Sequence, residues 1–336
     1  MTVDEAGSQS GEDRLIARYF KPLAKHPGAF GLVDDAAAIE PPAGCDLVLK
    51  TDGIIGGVHF FPEDPAETVA KKALRVNLSD LAAKGARPLG FLLTLALPKE
   101  LGDAWLAAFA RGLGEDAELF GCPLLGGDTD STPGPVTISI AAFGSVPHGK
   151  MLRRVGARPG DCVVVTGTIG DAALGVMLRG DRSNAARWEL TPDQQRALEA
   201  RYLLPQPRIA IAELLRAQAS AAMDVSDGLA GDLAKLCRAS GVVAEIEVAR
   251  VPLSAAARAA LGRDPKLMRA ILTGGDDYEV LATMPAGKVE AFRQQAAAAG
   301  VTITAIGTVV AGQGDARFIA VDGSPLALDH LSYSHF

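Results

Sequence analysis

The chain has 336 residues, 48% of them hydrophobic and 22% charged, with a formal net charge of -7 at pH 7. This length allows roughly two domains with ample cores, and the negative charge argues against broad nucleic-acid binding, which needs a basic surface. The four cysteines are scattered without a C-x-x-C pair, which argues against a zinc site and favours a reduced, cytoplasmic compartment.

The start of the chain is polar, and no apolar run is long enough for a membrane span. Met1 to Glu12 lacks the basic and apolar regions of a signal peptide. The longest apolar run, Leu89 to Leu97, is too short for a spanning helix. We therefore expect an intracellular protein that associates with neither membranes nor nucleic acids.

The first predicted helix leads to a pair of neighbouring aspartates. Ser10 is typical of a helix N-cap, and apolar residues follow it at helical spacing. A glycine-bearing turn then brings the chain to Asp34 and Asp35. Two carboxylates about 4 Å apart repel by roughly 4 kcal/mol at an effective dielectric constant of ~20. They either separate into solvent, which is the commoner arrangement, or a cation holds them together.

A short strand over residues 47–49 places Lys50, Thr51 and Asp52 at its end, where site residues often lie. His59 follows in a glycine-rich loop whose backbone can approach a ligand. A single histidine more often packs or faces solvent, so a functional role for His59 needs support from elsewhere.

The next predicted helix carries a further aspartate. The Asp-Pro-Ala-Glu sequence at 64–67 is typical of a helix start, and Gly85 marks the end. Asp80 lies near the border of the apolar face of this helix. An exposed ion pair with Lys84, worth a few tenths of a kcal/mol, is the simpler interpretation of Asp80.

A glycine–aspartate loop, Gly126-Gly127-Asp128-Thr129, follows a strand predicted over 90–97 and a helix predicted over 103–120. An alternating apolar strand from 136 to about 146 comes next. In this loop a short apolar run again comes immediately before glycines and carboxylates, as the run at 47–49 comes before Asp52.

The polar, basic segment from Pro147 to Pro159, which includes Arg154, predicts a domain boundary. We place an N-terminal domain at 1–148 and a C-terminal domain at 149–336.

The C-terminal domain opens with a strand and a glycine-rich turn. Residues 166–171 enter a helix through glycines, a plausible phosphate cradle, although the chain contains no Walker A sequence. The polar residues 180–200 predict an excursion on the surface.

The stretch Asp224-Val225-Ser226-Asp227-Gly228-Leu229 predicts a strand, a turn and a helix start. Its oxygen atoms suit a hard cation, and its backbone N–H groups suit an anion. A capped turn without a ligand is the alternative, since most Asp-rich turns are of that kind. The spacing does not fit an EF-hand, because Lys235 stands where the bidentate Glu is required.

A third glycine–aspartate turn at 274–279, Gly-Gly-Asp-Asp-Tyr-Glu, precedes another predicted strand. So many acidic turns at the ends of apolar elements suggest that they converge on one acidic cavity, which self-repulsion would destabilise without cations. Oxygen ligands favour Mg²⁺ over zinc. Several Mg²⁺ ions with glycine loops indicate a polyphosphate ligand, most plausibly ATP.

Taken as a set, these motifs resemble the thiamine-phosphate kinases, which belong to the superfamily of aminoimidazole ribonucleotide synthetase. The resemblance covers nearly the whole chain. Its markers are Asp34-Asp35, Thr51-Asp52, His59-Phe60, the segment Ala73-Leu74-Arg75-Val76-Asn77-Leu78-Ser79-Asp80-Leu81-Ala82, Gly126-Gly127-Asp128-Thr129, the 224–229 stretch and the 274–279 turn.

The resemblance implies Mg²⁺- and ATP-dependent phosphorylation of thiamine phosphate to thiamine diphosphate, without a protein general base. It implies an α+β fold with an N-terminal sheet domain that forms a homodimer and a C-terminal α/β-sandwich domain that closes over the nucleotide. It assigns metal ligands (Asp35, Thr51, Asp52, Asp80, Asp128, Asp224, Asp227), ATP contacts (Gly127, Asp128, Arg154, Ser226) and substrate contacts (His59, Asp276, Tyr333).

The chain departs from the family pattern at three positions. Val33 stands where glycine is usual before the aspartate pair, and Asp276 replaces a glutamate. Lys50 replaces a hydroxyl residue, so its ammonium either substitutes for the charge of one cation or points to solvent. These departures bear on the number of metals and on substrate affinity more than on the reaction.

Two rival functions stay open. The first is another ATP-using member of the superfamily, against which the chain shows neither a catalytic-cysteine glycine loop near its start nor the C-terminal tail of the dehydratase. The second is a protein that binds thiamine phosphate or a nucleotide without catalysis. Incubation with ATP, Mg²⁺ and thiamine phosphate separates these functions.

Overall fold

The computed structural model describes residues 11–320, 322–328 and 330–332, so Ser10 and Tyr333 lie outside the described residues. The described chain forms two compact units that are not continuous in sequence. The first contains the residues up to Asn77 together with Pro88–Ser145, and the second contains Leu78–Arg87 and the described residues from Val146 onward. Each unit combines a β-sheet with helices, as the α+β prediction requires.

The first unit is built on a four-stranded sheet in which β2 and β3 run parallel. The strand order is β1-β4-β2-β3. After α1 the chain continues as a π turn over Ile16–Phe20 and a 3-10 turn over Lys21–Leu23. The elements are α1 (Gly11–Leu15), β1 (Cys45–Ile55), α2 (Ala66–Ala83), β2 (Arg87–Leu97), α3 (Asp103–Leu119), β3 (Leu124–Ser131) and β4 (Thr137–Pro147).

Strand β1 lies at an edge of this sheet, and its side chains alternate between two environments. Val48 and Ile54 are buried, whereas Leu47 and Leu49 on the opposite face are exposed. The alternation follows from the two-residue period of a strand. An edge strand with exposed leucines is a surface that a partner commonly covers.

The second unit is built on a six-stranded sheet in the order β10-β7-β9-β5-β8-β6. Its pairs are antiparallel except for β10 and β7. The elements are β5 (Asp161–Thr166), α4 (Asp171–Gly180), α5 (Asn184–Arg187), α6 (Pro192–Leu203), α7 (Ala212–Gln218), β6 (Ala221–Val225), α8 (Leu229–Ser240), β7 (Val243–Glu247), α9 (Ala255–Arg263), α10 (Leu267–Thr273), β8 (Glu279–Pro285), α11 (Val289–Ala298), β9 (Ile303–Val310) and β10 (Arg317–Ile319).

Helices cover both faces of the second sheet. Val163 and Val165 of β5 pack in an apolar cluster that includes residues of α4, α8 and α10. Val164, on the opposite face of the same strand, packs with Leu215 of α7 and Phe292 of α11. Both faces of β5 are therefore shielded from solvent by helices, which explains why residues 162–165 form an unbroken apolar run. A sheet covered by helices in this way is an α/β sandwich.

The prediction of a surface excursion over residues 180–200 is wrong. This segment contains α5 and α6, and Trp188, Leu198 and Tyr202 are buried. Helix α6 begins at a capping box, in which the Thr191 hydroxyl accepts from the Gln194 N–H and the Gln194 side chain accepts from the Thr191 N–H. The few apolar residues face inward, so the polar composition reflects only the outer face of the helix.

Within the described part of the chain, no helix has the length and apolar character needed to cross a membrane.

Candidate active site

The stretch singled out in the sequence lies at the end of β6, where Asp224 is buried beside Asp80. Asp224 is 4% exposed, and its Oδ2 accepts no hydrogen bond from any described residue. Asp80 stands in the last two turns of α2, in the same unit as Asp224. A buried carboxylate oxygen without a donor is costly, and a bound cation is a partner that would compensate it.

The surroundings of Asp224 favour its protonated form in the absence of a cation. Burial, and after it the neighbouring Asp80 carboxylate, raises the pKa of Asp224 well above its ordinary value. A hydrogen bond from Ser79 and the nearby Lys84 ammonium act in the opposite direction. The Lys84 ammonium also donates to the Ala222 carbonyl at 3.1 Å.

The turn after Asp224 is held from inside by Asp232, a residue that sequence reasoning missed. Asp232 is fully buried, and its Oδ2 accepts the backbone N–H groups of Ser226 and Asp227 at 3.0 and 2.9 Å. These two N–H groups are therefore bound to an internal carboxylate. The Ser226 carbonyl also has an internal partner, since it accepts from the Asp276 N–H.

Lys235 forms ion pairs with Asp227 of this turn and with Asp232 of α8, so its single positive charge offsets part of their negative charge. Its Nζ lies 2.5 Å from Asp227 Oδ2 and 2.8 Å from Asp232 Oδ1. The Asp227 side chain is 38% exposed, so solvent and ligands can reach it. An available signal in the sequence was Asp232 itself, since a carboxylate within the apolar pattern Leu229–Leu233 of a buried helix face requires partners.

The 274–279 turn packs directly against the 224–229 turn. The Tyr278 N–H donates to the Val225 carbonyl at 2.8 Å, parallel to the Asp276 bond to Ser226 at 2.9 Å. Gly275 lies so close that a Cβ there would stand 2.4 Å from the Ser226 carbonyl oxygen. Asp276, a predicted substrate contact, and Ser226, a predicted ATP contact, are therefore neighbours joined by a backbone hydrogen bond.

The interpretation of the 166–171 turn as a phosphate cradle is wrong. Two N–H groups at the start of α4 already have a protein acceptor: those of Gly170 and Ala172 donate to the Asp277 carboxyl group at 2.6 and 3.3 Å. Burial raises the pKa of Asp277 well above its ordinary value, and the Gly170 N–H opposes this shift. The glycines of this turn therefore allow the close internal contact with the 274–279 turn and do not form a ligand site.

In the first unit, Asp35, Gly127 and Asp128 line one cavity of about 810 Å³ together with Asp34. Gly127 sits opposite Leu93 in the β2–β3 pair. A Cβ at position 127 would stand 1.8 Å from the Leu93 carbonyl oxygen, so only glycine fits there. The structure thus brings to the same cavity two predicted metal ligands, Asp35 and Asp128, and two predicted ATP contacts, Gly127 and again Asp128.

Thr51 and Asp52 occupy β1 and do not line that cavity. The Asp52 N–H donates to Asn77 Oδ1 of α2 at 2.9 Å, which fixes the strand at this point. Lys50 Nζ lies 3.0 Å from Asp52 Oδ1. The alternative in which Lys50 points away into solvent is therefore wrong, and its ammonium accompanies a predicted metal ligand.

His59 is oriented by two backbone contacts within the first unit. Its Nδ1 accepts the Ile55 N–H at 3.1 Å, which leaves the proton of the neutral ring on Nε2. The His59 carbonyl accepts from Nζ of Lys72, a lysine that is only 2% exposed. The loop is therefore held firmly, and sequence reasoning did not identify Lys72 as its support.

Arg154, a predicted ATP contact, and Val33, next to the predicted aspartate pair, are exposed residues. The Arg154 side chain is exposed, and its carbonyl accepts from the Ser240 hydroxyl at 2.8 Å. Val33 is 77% exposed beside the aspartate pair. Among the residues that the structure describes, no three histidine, cysteine, aspartate or glutamate side chains stand close enough together to hold a metal ion.

Two family models match the chain. The N-terminal domain of AIR synthase related proteins matches residues 33–146, and the C-terminal domain of the same family matches residues 158–319.

Individual proteins match over nearly the whole length. The chain is 42% identical over 321 residues to a thiamine-monophosphate kinase of Caulobacter vibrioides, covering 94% of this chain and 89% of the relative. The crystal structure of the thiamine-monophosphate kinase from Stenotrophomonas maltophilia superposes with a TM-score of 0.81 at 38% identity, covering 94% and 96% of the two chains. AaThiL complexed with AMPPCP and TMP superposes with a TM-score of 0.76 at 31% identity, covering 92% and 97%.

Proposed function

The chain belongs to the thiamine-monophosphate kinases of the AIR synthase related protein family, and we propose that it transfers the γ-phosphoryl group of ATP to thiamine monophosphate, giving thiamine diphosphate. The observation that carries this proposal is the similarity over 92% of the chain to a protein that binds both AMPPCP and TMP. This would be the last step in making thiamine diphosphate. The similarity to thiamine-monophosphate kinases over nearly the whole chain supports this function over that of another ATP-using member of the superfamily.

We propose that Mg²⁺ is required, and the residues present fit that ion. The unpartnered Oδ2 of buried Asp224, beside Asp80, is a hard oxygen ligand that lacks a protein donor. Because Mg²⁺ is commonly held by one or two carboxylates with phosphate oxygens and water as its other ligands, Asp80 and Asp224 would share one ion. We propose Asp227 in the second unit, and Asp35, Thr51, Asp52 and Asp128 in the first, as further single ligands rather than as one cluster. When bound, Mg²⁺ would neutralise the negative charge of the phosphates.

The acceptor needs no protein base. The second pKa of a phosphate monoester is about 6, so thiamine monophosphate is largely a dianion at neutral pH. The protein therefore acts by positioning, which is the main requirement of phosphoryl transfer. In this proposal Gly127, Asp128, Arg154 and the Ser226 hydroxyl contact ATP, and direct in-line attack on its γ-phosphorus follows.

For the substrate we propose contacts from His59 and Asp276. The fixed tautomer of His59 presents Nε2–H as a hydrogen-bond donor, which suits a phosphate oxygen. Asp276 is a carboxylate and suits the cationic thiamine portion. Tyr333 stays a prediction outside the described residues.

The decisive experiment incubates the purified chain with ATP, Mg²⁺ and thiamine monophosphate and measures thiamine diphosphate by chromatography. We expect product that depends on all three components, and loss of turnover in Asp227→Ala with an unchanged circular-dichroism spectrum. Binding of thiamine monophosphate without product would instead identify a binding protein. Full activity of Asp227→Ala at ordinary Mg²⁺ would contradict the metal assignment.

We also propose a homodimer and a cytoplasmic location. The exposed leucines of edge strand β1 support a partner on that face of the first unit, since Leu49 is 68% exposed. The four cysteines are all free thiols, as expected in a reducing compartment where ATP is available.

A further inference from the structure

The 274–279 turn contains two adjacent aspartates with opposite environments. Asp276 is partly exposed, whereas Asp277 is completely buried. The residues on both sides of Asp277 donate their N–H groups to the 224–229 turn, and the Asp277 side chain points the other way, onto the N-terminus of α4. The turn is thus held from two directions.

The backbone at this point adopts a conformation that side chains normally avoid. Asp276 has φ +73° and Tyr278 has φ +50°, both in the left-handed region. Such a conformation costs about 1 to 3 kcal/mol per residue and persists only where surrounding contacts enforce it. Two non-glycine residues in this region, separated by one residue, require a strong local anchor.

Asp277 provides that anchor. Its Oδ2 accepts the Gly170 N–H at 2.6 Å and its Oδ1 accepts the Ala172 N–H at 3.3 Å, where the α4 dipole favours a negative charge. Arg201 adds a hydrogen bond to the Asp277 carbonyl at 3.2 Å and an ion pair with Glu279 at 2.7 Å. These bonds fix the main chain immediately after Asp276.

We propose that Asp277 is a positioning residue for substrate binding: by fastening the turn to α4 it holds Asp276 in the left-handed conformation that directs its carboxylate toward thiamine monophosphate. This inference rests on the proposed function. Asp277 itself is fully buried, so in this proposal it acts through the partly exposed Asp276.

The test compares Asp277→Asn with the wild-type chain. Asparagine has nearly the same shape but offers one carbonyl oxygen, so one of the two N–H groups of α4 loses its acceptor. We expect the KM for thiamine monophosphate to rise roughly tenfold or more, while the KM for ATP and kcat stay within about threefold. A rise confined to the KM for ATP, or a fall in kcat alone, would overturn the proposal.

Asp161→Asn is the matched control. Asp161 is also buried in the second unit and accepts one backbone N–H, that of Arg158, but it lies at the opposite end of β5 and β8. We expect its melting temperature to fall while both KM values stay unchanged. If both variants changed the KM for thiamine monophosphate equally, the effect would reflect general destabilisation, and the proposal would be wrong.

A second variant covers the case in which Asp277→Asn does not fold. Asp277→Glu keeps the carboxyl group and both oxygens, but its additional methylene displaces the turn from α4. We expect the same selective rise in the KM for thiamine monophosphate. Kinetics identical to the wild type would contradict the need for this anchor.

Hydrogen exchange tests the anchor independently of catalysis. In the full-length Asp277→Asn protein, the N–H groups of Asp276 and Tyr278 should exchange roughly tenfold faster than in the wild type, and in Asp161→Asn they should not. Unchanged exchange would overturn the anchoring role. If instead the wild-type chain makes no thiamine diphosphate, the proposed function fails, and the exchange result still decides whether Asp277 holds the turn.

Discussion

At the scale of single residues, Asp224 has conflicting consequences for stability and for function. Burial and the adjacent Asp80 raise its pKa in the folded chain above the unfolded value of about 3.9. The folded state therefore binds this proton more tightly than the unfolded state does. Its contribution to stability is complete below the unfolded pKa and is lost as the pH rises toward the folded pKa.

We expect Asp224→Asn to stabilise the metal-free protein at neutral pH. The substitution removes the cost of ionising a buried carboxyl group, and each unit of pKa shift corresponds to about 1.4 kcal/mol. Thermal unfolding in a chelator at pH 5 and pH 8 should show a higher melting temperature at pH 8 and a weaker decline with pH than the wild type. The same variant should lose Mg²⁺-dependent turnover.

Asp116→Asn is the contrasting control. The Asp116 carboxylate is equally buried but receives Arg75 Nε at 2.5 Å and a second guanidinium nitrogen at 2.9 Å. Its replacement removes the charged acceptor of two hydrogen bonds from a buried arginine and should destabilise the chain at both pH values. If Asp224→Asn behaved in the same way, Asp224 would be a structural ion partner rather than an uncompensated ligand.

Lys50 gives a second prediction at this scale. Because its ammonium lies 3.0 Å from Asp52, a metal ion at that carboxylate has to displace it. A partly exposed pair of this kind is worth about 0.2 to 1 kcal/mol, so Lys50→Ser should tighten Mn²⁺ binding by up to about fivefold. Electron paramagnetic resonance of free Mn²⁺ measures this without turnover.

The control for Lys50 is Lys71→Ser. Lys71 forms comparable pairs with Glu67 and Glu115 on the helices of the first unit, at 3.1 and 2.6 Å. Its removal should leave Mn²⁺ binding unchanged. Equal Mn²⁺ affinity in Lys50→Ser and the wild type would show that Lys50 does not compete for the Asp52 carboxylate.

At the scale of elements, the sequence predicts those strands, turns and helices whose signals are local in the chain. The strand, turn and helix around Asp224 appear as predicted, because an apolar run, a glycine and a helical repeat are each local signals. The anchors of the turns could not be predicted in the same way. Asp277 binds N–H groups that only tertiary packing brings to it, from a helix more than a hundred residues away. Asp232 binds N–H groups five and six residues before it, but their approach depends on the detailed shape of the turn.

The segment 180–200 shows that composition alone can also mislead about a whole element. Its composition is polar, yet Trp188 and Leu198 complete the core under α4. The Thr-Pro-Asp-Gln sequence at 191–194 is a capping signature, so the local signal for the start of this helix is present in the sequence.

Helix α6 therefore yields a prediction about stability alone. Thr191→Ala removes the hydroxyl that accepts the Gln194 N–H and should lower the free energy of unfolding by about 1 kcal/mol. Thr191→Ser keeps that acceptor and should be nearly neutral. Denaturant unfolding measures both, and kcat should be unchanged in each. A loss of turnover in Thr191→Ala without a loss of stability would show that this helix has a functional role.

At the scale of the whole molecule, the domain boundary predicted at 148/149 remains a prediction. The structure adds that the two compact units are discontinuous in sequence, so a single boundary cannot separate them. Residues Leu78–Arg87 group with the later part of the chain although they lie far before the boundary. Asp80 is in this segment, so a residue read as N-terminal shares a unit with Asp224. Compactness depends on contacts between distant residues, which composition along the chain does not report.

The oligomeric state is the prediction that belongs to the whole molecule. Leu49 on edge strand β1 faces the cavity that Asp35 and Asp128 also line. If a second copy covers this face, Leu49→Arg places a charge in the interface and should convert the dimer to a monomer, because burying an unpaired charge is strongly unfavourable. Light scattering after size-exclusion chromatography measures the mass.

Leu119 at the end of α3 provides the matched control, since Leu49 and Leu119 are both 68% exposed. Leu119→Arg should leave the mass unchanged. Dissociation by Leu119→Arg, or a dimer that tolerates Leu49→Arg, would place the interface elsewhere. Because the cavity beside Leu49 holds predicted Mg²⁺ and ATP contacts, a monomeric Leu49→Arg should also bind ATP more weakly, which links assembly to the site through the same face of the sheet.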